Sequence, residues 1–315
     1  MSNPPLSVVI ASHSDPDLPN TLASIRATAG DSPEIVVVDD CGHQPVVASH
    51  GARVIRNAHR CGVGPSRTIG VLAATGEMVL ICDAHMRFIP GWYDALIDRL
   101  APHPDWLICG VCLGLDAQHM DVNNPVGPYH GATINVLGPD ANPKPGYPAK
   151  TQVFEAVWNK TPPEDNAEIC CVMGASYAMY RSWFLKIDAL SHLRSWGEDE
   201  IMLSVKTWLA GGSVRLHHGV WVGHRFRMKR ERVPFNVPRE DLLNNKLFAI
   251  NTLLPPDLAK RLIGALRVNP GYGGYRAGAD TRWAEVACEQ AFNRSIFTRD
   301  FLWLANKFNL HLPAA

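Results

Sequence analysis

Four groups of side chains in this 315-residue chain have types and spacings suited to chemistry. The first is Val79-Leu80-Ile81-Cys82-Asp83-Ala84-His85, an apolar run ending in Asp-x-His. If the strand continues through the pair, its alternation turns Asp83 and His85 to one side, where a carboxylate and an imidazole meet one cation. Mixed oxygen and nitrogen donors suit Mn²⁺ or another transition ion better than Ca²⁺. The second group is Trp221-Val222-Gly223-His224-Arg225-Phe226-Arg227, continuing to Arg232. His224 offers a third ligand, and the cations after it, Arg227 and Arg230 among them, form the dense basic cluster that a diphosphate binds through Arg forks. Taken alone, that cluster also fits a solvated loop.

The third group is Trp196-Gly197-Glu198-Asp199-Glu200, three acids opening a helix. Complementing the helix macrodipole accounts for them; a catalytic or acceptor-orienting role accounts for one of them equally. The fourth is Val36-Val37-Val38-Asp39-Asp40, a buried strand ending in two carboxylates. Ligands of open α/β sheets bind beyond the carboxyl ends of the strands, where Asp39 and Asp40 can accept hydrogen bonds from a base or ribose. A turn or helix cap uses the same pair.

These groups need a scaffold that brings strand ends together. Residues 6–10, 34–38, 53–56 and 78–82 are largely apolar runs of strand length, and residues 18–28 and 64–74 carry apolar side chains at helical spacing. Strand, helix, strand, helix predicts an α/β fold with right-handed crossovers: a Rossmann-like, mostly parallel sheet flanked by helices. Residues 107–113 read as another strand, and 116–165 as a long irregular stretch, which in a compact domain is more often functional than idle. Order returns at 170–180, followed by a helix over 199–209 and two short strands at 214–216 and 219–222. From 238 to 310 the pattern is mostly helical. The expected domains are a catalytic unit over 1–234 and a helical C-terminal extension over 235–315 packed on it.

Composition bounds the partners. Lys plus Arg and Asp plus Glu both total 30, so no net field favours nucleic acid or an anionic membrane. The apolar runs are too short for a span and no basic leader precedes them, so a cytoplasmic protein is expected. Cys82, Cys109, Cys112, Cys170 and Cys171 lie in apolar runs, as small buried residues do. Cys109-x-x-Cys112 has half the spacing of a zinc site, but no second pair follows.

Together the segments resemble nucleotide-sugar glycosyltransferases with the glycosyltransferase-A fold. Residues 6–10, 34–40, 67–70 and 76–85 resemble the opening of family 2 enzymes. Residues 60–85 and 196–224 resemble, without gaps, the catalytic domain of polypeptide N-acetylgalactosaminyltransferases, which carry Asp-x-His in place of Asp-x-Asp. The resemblance implies a UDP-sugar donor and Mn²⁺ (or another divalent cation) held by Asp83, His85 and His224. It puts Asp39 or Asp40 on the uridine, Arg60, Arg67 and Arg227 on the nucleotide side, and Gly174-Ala175 near the sugar. Asp199 takes the place of the family 2 catalytic base, with Glu198 beside it, and Trp196 resembles a mobile-loop Trp that closes over the donor. Beyond Arg227 the match fades, and with it Arg230.

Trp-Gly-Glu-Asp-Glu replaces that family's Trp-Gly-Gly-Glu-Asn, which leaves retaining and inverting chemistry both open. The animal enzymes' membrane anchor and lectin domain are not seen, so a mucin-type protein is not the expected acceptor. A small molecule, glycan or lipid-linked sugar is one acceptor class. A hydroxymethylated pyrimidine in DNA is another, motivated by the basic cluster and by Tyr272, Tyr275, Arg276 and Trp283. An inactive nucleotide-sugar-binding protein is a third reading. A nucleotidyltransferase would carry a Gly-rich loop after the first strand, where this chain has Ala11-Ser12-His13-Ser14-Asp15.

Overall fold

A computed structural model describes residues 6–115, 128–139, 151–173, 175–226, 237–268 and 282–313. The chain runs β1 (Leu6–Ser12), α1 (Leu18–Ala29), β2 (Glu34–Asp39), β3 (Arg53–Arg56), α2 (Val63–Ala73), β4 (Met78–Cys82), β5 (Met86–Phe88), α3 (Trp92–Leu100) and β6 (Trp106–Gly114). It continues through β7 (Ala132–Pro139), β8 (Thr151–Trp158), β9 (Ser176–Tyr180), α4 (Arg181–Ile187), α5 (Asp199–Leu209) and β10 (Ser213–His224). Four helices follow: α6 (Arg239–Leu253), α7 (Pro256–Val268), α8 (Trp283–Ile296) and α9 (Phe301–Lys307).

Eight strands form one sheet in the order β3-β2-β1-β4-β9-β6-β10-β5. Strands β3, β2, β1 and β4 are mutually parallel, as are β6 and β10. β9 runs antiparallel to both β4 and β6, and β5 antiparallel to β10. β6, reversed twice through β9, points the same way as β4, so six of the eight strands share one direction and the sheet is mostly parallel, as the sequence predicted. Only β9 and β5 run against it, and burial hides that from the sequence, because strands covered on both faces read as continuous apolar runs in either direction.

Two expectations change. The paired short strands at 214–216 and 219–222 are one strand, β10, whose register shifts between His217 and Trp221. The polar His217-His218-Gly219 step is a bulge in the ladder rather than a loop. Part of the stretch read as irregular forms the antiparallel pair β7–β8.

Alternation along the strands divides the core. Val8, Ile10, Val37 and Leu80 face α1 and α3 through Leu22, Ile25, Trp92 and Leu96. Val9, Val36, Val79 and Ile81 belong to the other cluster, with Leu203 and Trp208 of α5, Phe248 and Ile250 of α6, Leu262 of α7 and Phe301 of α9. The C-terminal helices thus share a core with the sheet. Lys206 of α5 and Glu289 of α8 pair where both are buried, and Lys206 Nζ also donates to the Asp188 carbonyl at 3.0 Å. The five cysteines expected inside are buried and free. Among the described residues no helix is long and apolar enough to cross a membrane.

Candidate functional site

The chemistry-bearing residues gather beyond the carboxyl ends of β1, β2, β4 and β10. Asp83 and His85 lie in the turn between β4 and β5, so strand alternation is not what unites them. The β5–β10 pairing does: His224 stands opposite Met86, which carries His85 to the same edge. The His224 Nε2 atom lies 3.2 Å from Asp83 Oδ2 and 3.1 Å from His85 Nε2. One ligand atom from each of the three residues lies within 4.8 Å of the others. Among the described residues this is the group of His, Cys, Asp and Glu side chains able to hold a metal ion, and Cys109 with Cys112 is not one. Two imidazole nitrogens and a carboxylate oxygen converging at one point fit a divalent transition ion.

A residue given no role in the sequence reading completes the arrangement. Asp15, in the loop after β1, has Oδ2 at 2.9 Å from His85 Nδ1. A carboxylate on one ring nitrogen fixes the tautomer and presents the other as a ligand.

Arg67 stands at the centre of the buried charge. Gly70 brings α2 against β1, since a Cβ there would come within 2.3 Å of Val9 Cγ1. One turn earlier, Arg67 is only 3% exposed. Its Nη2 donates to Asp83 Oδ1 at 2.7 Å, and its Nη1 to Asp199 and, at 3.0 Å, to the Tyr177 hydroxyl. Burial pushes the Asp83 carboxyl up, but the His224 hydrogen bond and the charges of Arg67 and His85 outweigh it and hold it well below the usual range. Arg67 thus joins the candidate ligand Asp83 to the first residue of α5. Grouped from sequence with the donor contacts, it is a buried tie between acids, and Asp199, proposed there as the base, is buried with its charge met by Arg67.

Asp39 and Asp40 organise loops. Asp39 accepts from the backbone N–H of Gly42 at 2.8 Å and Val46 at 3.0 Å, and from Arg56. Asp40 accepts from the Asn57 amide at 3.0 Å and from the N–H groups of Cys61 and Gly62 at 2.7 and 2.8 Å, fixing the entry to α2. Arg60 is exposed on that entry. Ala175 is buried, and its carbonyl accepts the Asp83 N–H at 3.1 Å. Gly174, Arg227 and Arg230 lie outside the described residues, as do Tyr272, Tyr275 and Arg276.

The Trp196 segment is a backbone reversal. Ser195, Gly197 and Glu198 have φ of 52°, 103° and 70°, in the left-handed region that costs non-glycine residues. Trp196 is 52% exposed. Glu198 caps α5 and meets the Lys246 ammonium of α6 at 2.6 Å through Oε1, while Oε2 is buried without a hydrogen-bond partner among the described residues. Burial raises its carboxyl above the ordinary range against the opposing charge of Lys246. Glu200 is raised further by burial and by Asp199.

Comparisons with known proteins bear on the fold that carries this site. A profile described as Glycosyl transferase family 2 matches residues 7–117. Polypeptide N-acetylgalactosaminyltransferase 10 of Mus musculus is 24% identical over 326 residues, which cover 98% of this chain and 50% of the relative. Polypeptide N-acetylgalactosaminyltransferase 15 of Mus musculus is 27% identical over 276 residues, covering 80% and 40%. The chain spans half the length, or less, of these curated relatives. The crystal structure of GalNAc-T7 with UDP, GalNAc and Mn²⁺ superposes with a TM-score of 0.78 at 17% identity, covering 98% of this chain and 57% of that one. S. aureus TarS 1–349 in complex with UDP-GlcNAc gives a TM-score of 0.51 at 14% identity, covering 83% and 71%. The chain has the glycosyltransferase-A fold and resembles family 2 glycosyltransferases and the catalytic domains of the polypeptide N-acetylgalactosaminyltransferases.

Proposed function

We propose that the chain is a glycosyltransferase that moves a hexose or N-acetylhexosamine from a UDP-sugar to an acceptor hydroxyl, with a divalent cation held by Asp83, His85 and His224. The convergence of those three ligand atoms within 4.8 Å, at the strand ends of this fold, carries the reading. When bound, the cation supplies Lewis-acid stabilisation of the charge that develops on the departing diphosphate.

The chain's own residues do the rest. Arg67 holds Asp83 in place through a hydrogen-bonded ion pair, and Asp15 orients His85. Arg60 and Arg227 are the guanidinium groups for the nucleotide phosphates. Asp199, neutralised by Arg67, positions the start of α5. Glu198, held by Lys246 through Oε1, has a raised carboxyl that suits it to take the acceptor proton if the reaction inverts.

The test is release of UDP or GDP from a panel of nucleotide sugars, with Mn²⁺ or with EDTA and no acceptor. UDP release from one donor in Mn²⁺, abolished by EDTA, supports the reading and opens an acceptor screen across small molecules, glycans and hydroxymethylpyrimidine DNA. No release, together with no Mn²⁺-dependent thermal protection by UDP, overturns it.

A further inference from the structure

The segment with the proposed site's most exposed aromatic is gripped from outside the sheet. Asn245, fully buried in α6, accepts the Arg194 N–H on Oδ1 at 2.8 Å. Its amide nitrogen donates to the carbonyls of Arg194 at 2.7 Å and of Trp196 and Gly197 at 3.2 Å. One carboxamide thus meets four backbone groups of a stretch with three left-handed residues. The next residue, Lys246, donates to Glu198 Oε1 at 2.6 Å and to the Phe154 carbonyl at 2.7 Å. From the opposite side the Val63 N–H donates to the Ser195 carbonyl at 2.6 Å. A run of left-handed residues persists only where its surroundings over-determine it, and Asn245 is the side chain that does so here.

We infer that Asn245 and Lys246 of α6 are positioning residues for the proposed reaction: Asn245 fixes the backbone that presents the Trp196 indole, and Lys246 holds the Glu198 side chain at the start of α5. The helical C-terminal part is then a component of the site and not an appendage to it. The kinetic consequence rests on the transferase reading, whereas the clamp itself does not.

The experiment compares the wild-type chain with Asn245→Asp, which keeps the acceptor for Arg194 but loses the donor and puts a charge among three carbonyls. Asn245→Ala serves as a second variant should the first not fold. Hydrogen exchange followed by mass spectrometry is read for peptides covering 193–199 and for the rest of the chain. In the folded variant that segment is expected to exchange about tenfold faster or more, the weight of a lost hydrogen bond, with the central strands unchanged. In donor turnover the variant is expected to lose about tenfold or more in kcat with KM little changed, as for a misplaced catalytic group. Equal protection of 193–199 in wild type and folded variant overturns the clamp whatever the kinetics. Faster exchange with unaltered kcat overturns the positioning role. A wild-type chain without donor turnover counts against the transferase reading, and exchange alone then decides the clamp.

Discussion

The Nε2 atoms of His85 and His224 face each other at 3.1 Å, although 139 residues of chain separate them. Two imidazoles aimed nitrogen to nitrogen, with Asp83 Oδ2 beside them, are arranged to share one positive charge. Calorimetric titration with Mn²⁺ is expected to show a single site in the wild type and none in His224→Ala. Asp15→Asn, which leaves the three ligands in place, is expected to weaken binding about 10- to 100-fold, as loss of an orienting carboxylate does elsewhere. Unchanged affinity in Asp15→Asn would mean that the Asp15 contact does not orient the ligand.

Arg67, itself buried, is the positive centre of a group made of buried Asp199 and Tyr177 and half-buried Asp83. Removing one partner of such a pair leaves an uncompensated buried charge, so Arg67→Met is expected to cost about 3–5 kcal/mol in denaturant unfolding. The double variant Arg67→Met/Asp199→Leu should recover part of that loss, because it removes the stranded carboxylate at the α5 end. Additive losses would refute the coupling.

Glycine 62 is required by both its backbone and its neighbour. It has φ of +94°, and a Cβ there would lie 2.4 Å from the Ser195 N and Cα atoms. Gly91 offers an internal control, with φ of +91° and nothing within 4 Å. Gly91→Ala therefore reports the backbone cost alone, of order 1 kcal/mol. Gly62→Ala is expected to lower the melting temperature further, and to loosen 193–199 by displacing Ser195. Equal melting temperatures in the two variants would argue against a close approach between α2 and the Trp196 segment.

The pH dependence of stability should carry a signature of the last helix. Burial pushes Glu168 up, but the Lys307 hydrogen bond and charge, then Arg215, outweigh it and hold its carboxyl below the ordinary 4.5. Between its folded value and 4.5 the unfolded chain binds more protons, so this contribution is complete above 4.5 and fades as pH falls through the folded value. Glu168→Gln is expected to lower stability at pH 7 and to flatten the acid limb of a melting-temperature profile. An unaltered acid limb would show that the Lys307–Glu168 tie between α9 and the sheet contributes nothing in solution.

Local signals were enough for β1 to β4, β6, α1 and α2, because a strand buried on both faces has to be apolar throughout, but not for β5, α3 or the β7–β8 pair. They were also enough for the candidate ligands, since Asp83, His85 and His224 each end an apolar run and their types alone suggest a cation. The direction of β9 was not legible, because its burial is the same whether its neighbours run with it or against it. Nor was the means by which Asp83 and His85 meet, which is a turn secured by the β5–β10 pairing and not alternation along one strand. Which cation each acid meets was decided by tertiary contact: Asp199 looks as available as Glu198 in sequence, yet Arg67, 132 positions earlier, pairs with it, while Lys246 reaches Glu198 from α6. Composition and periodicity record which residues must be buried or exposed. Which charge lies opposite which is set by long-range packing, and here that pairing separates the candidate ligands from the residues that hold them in place.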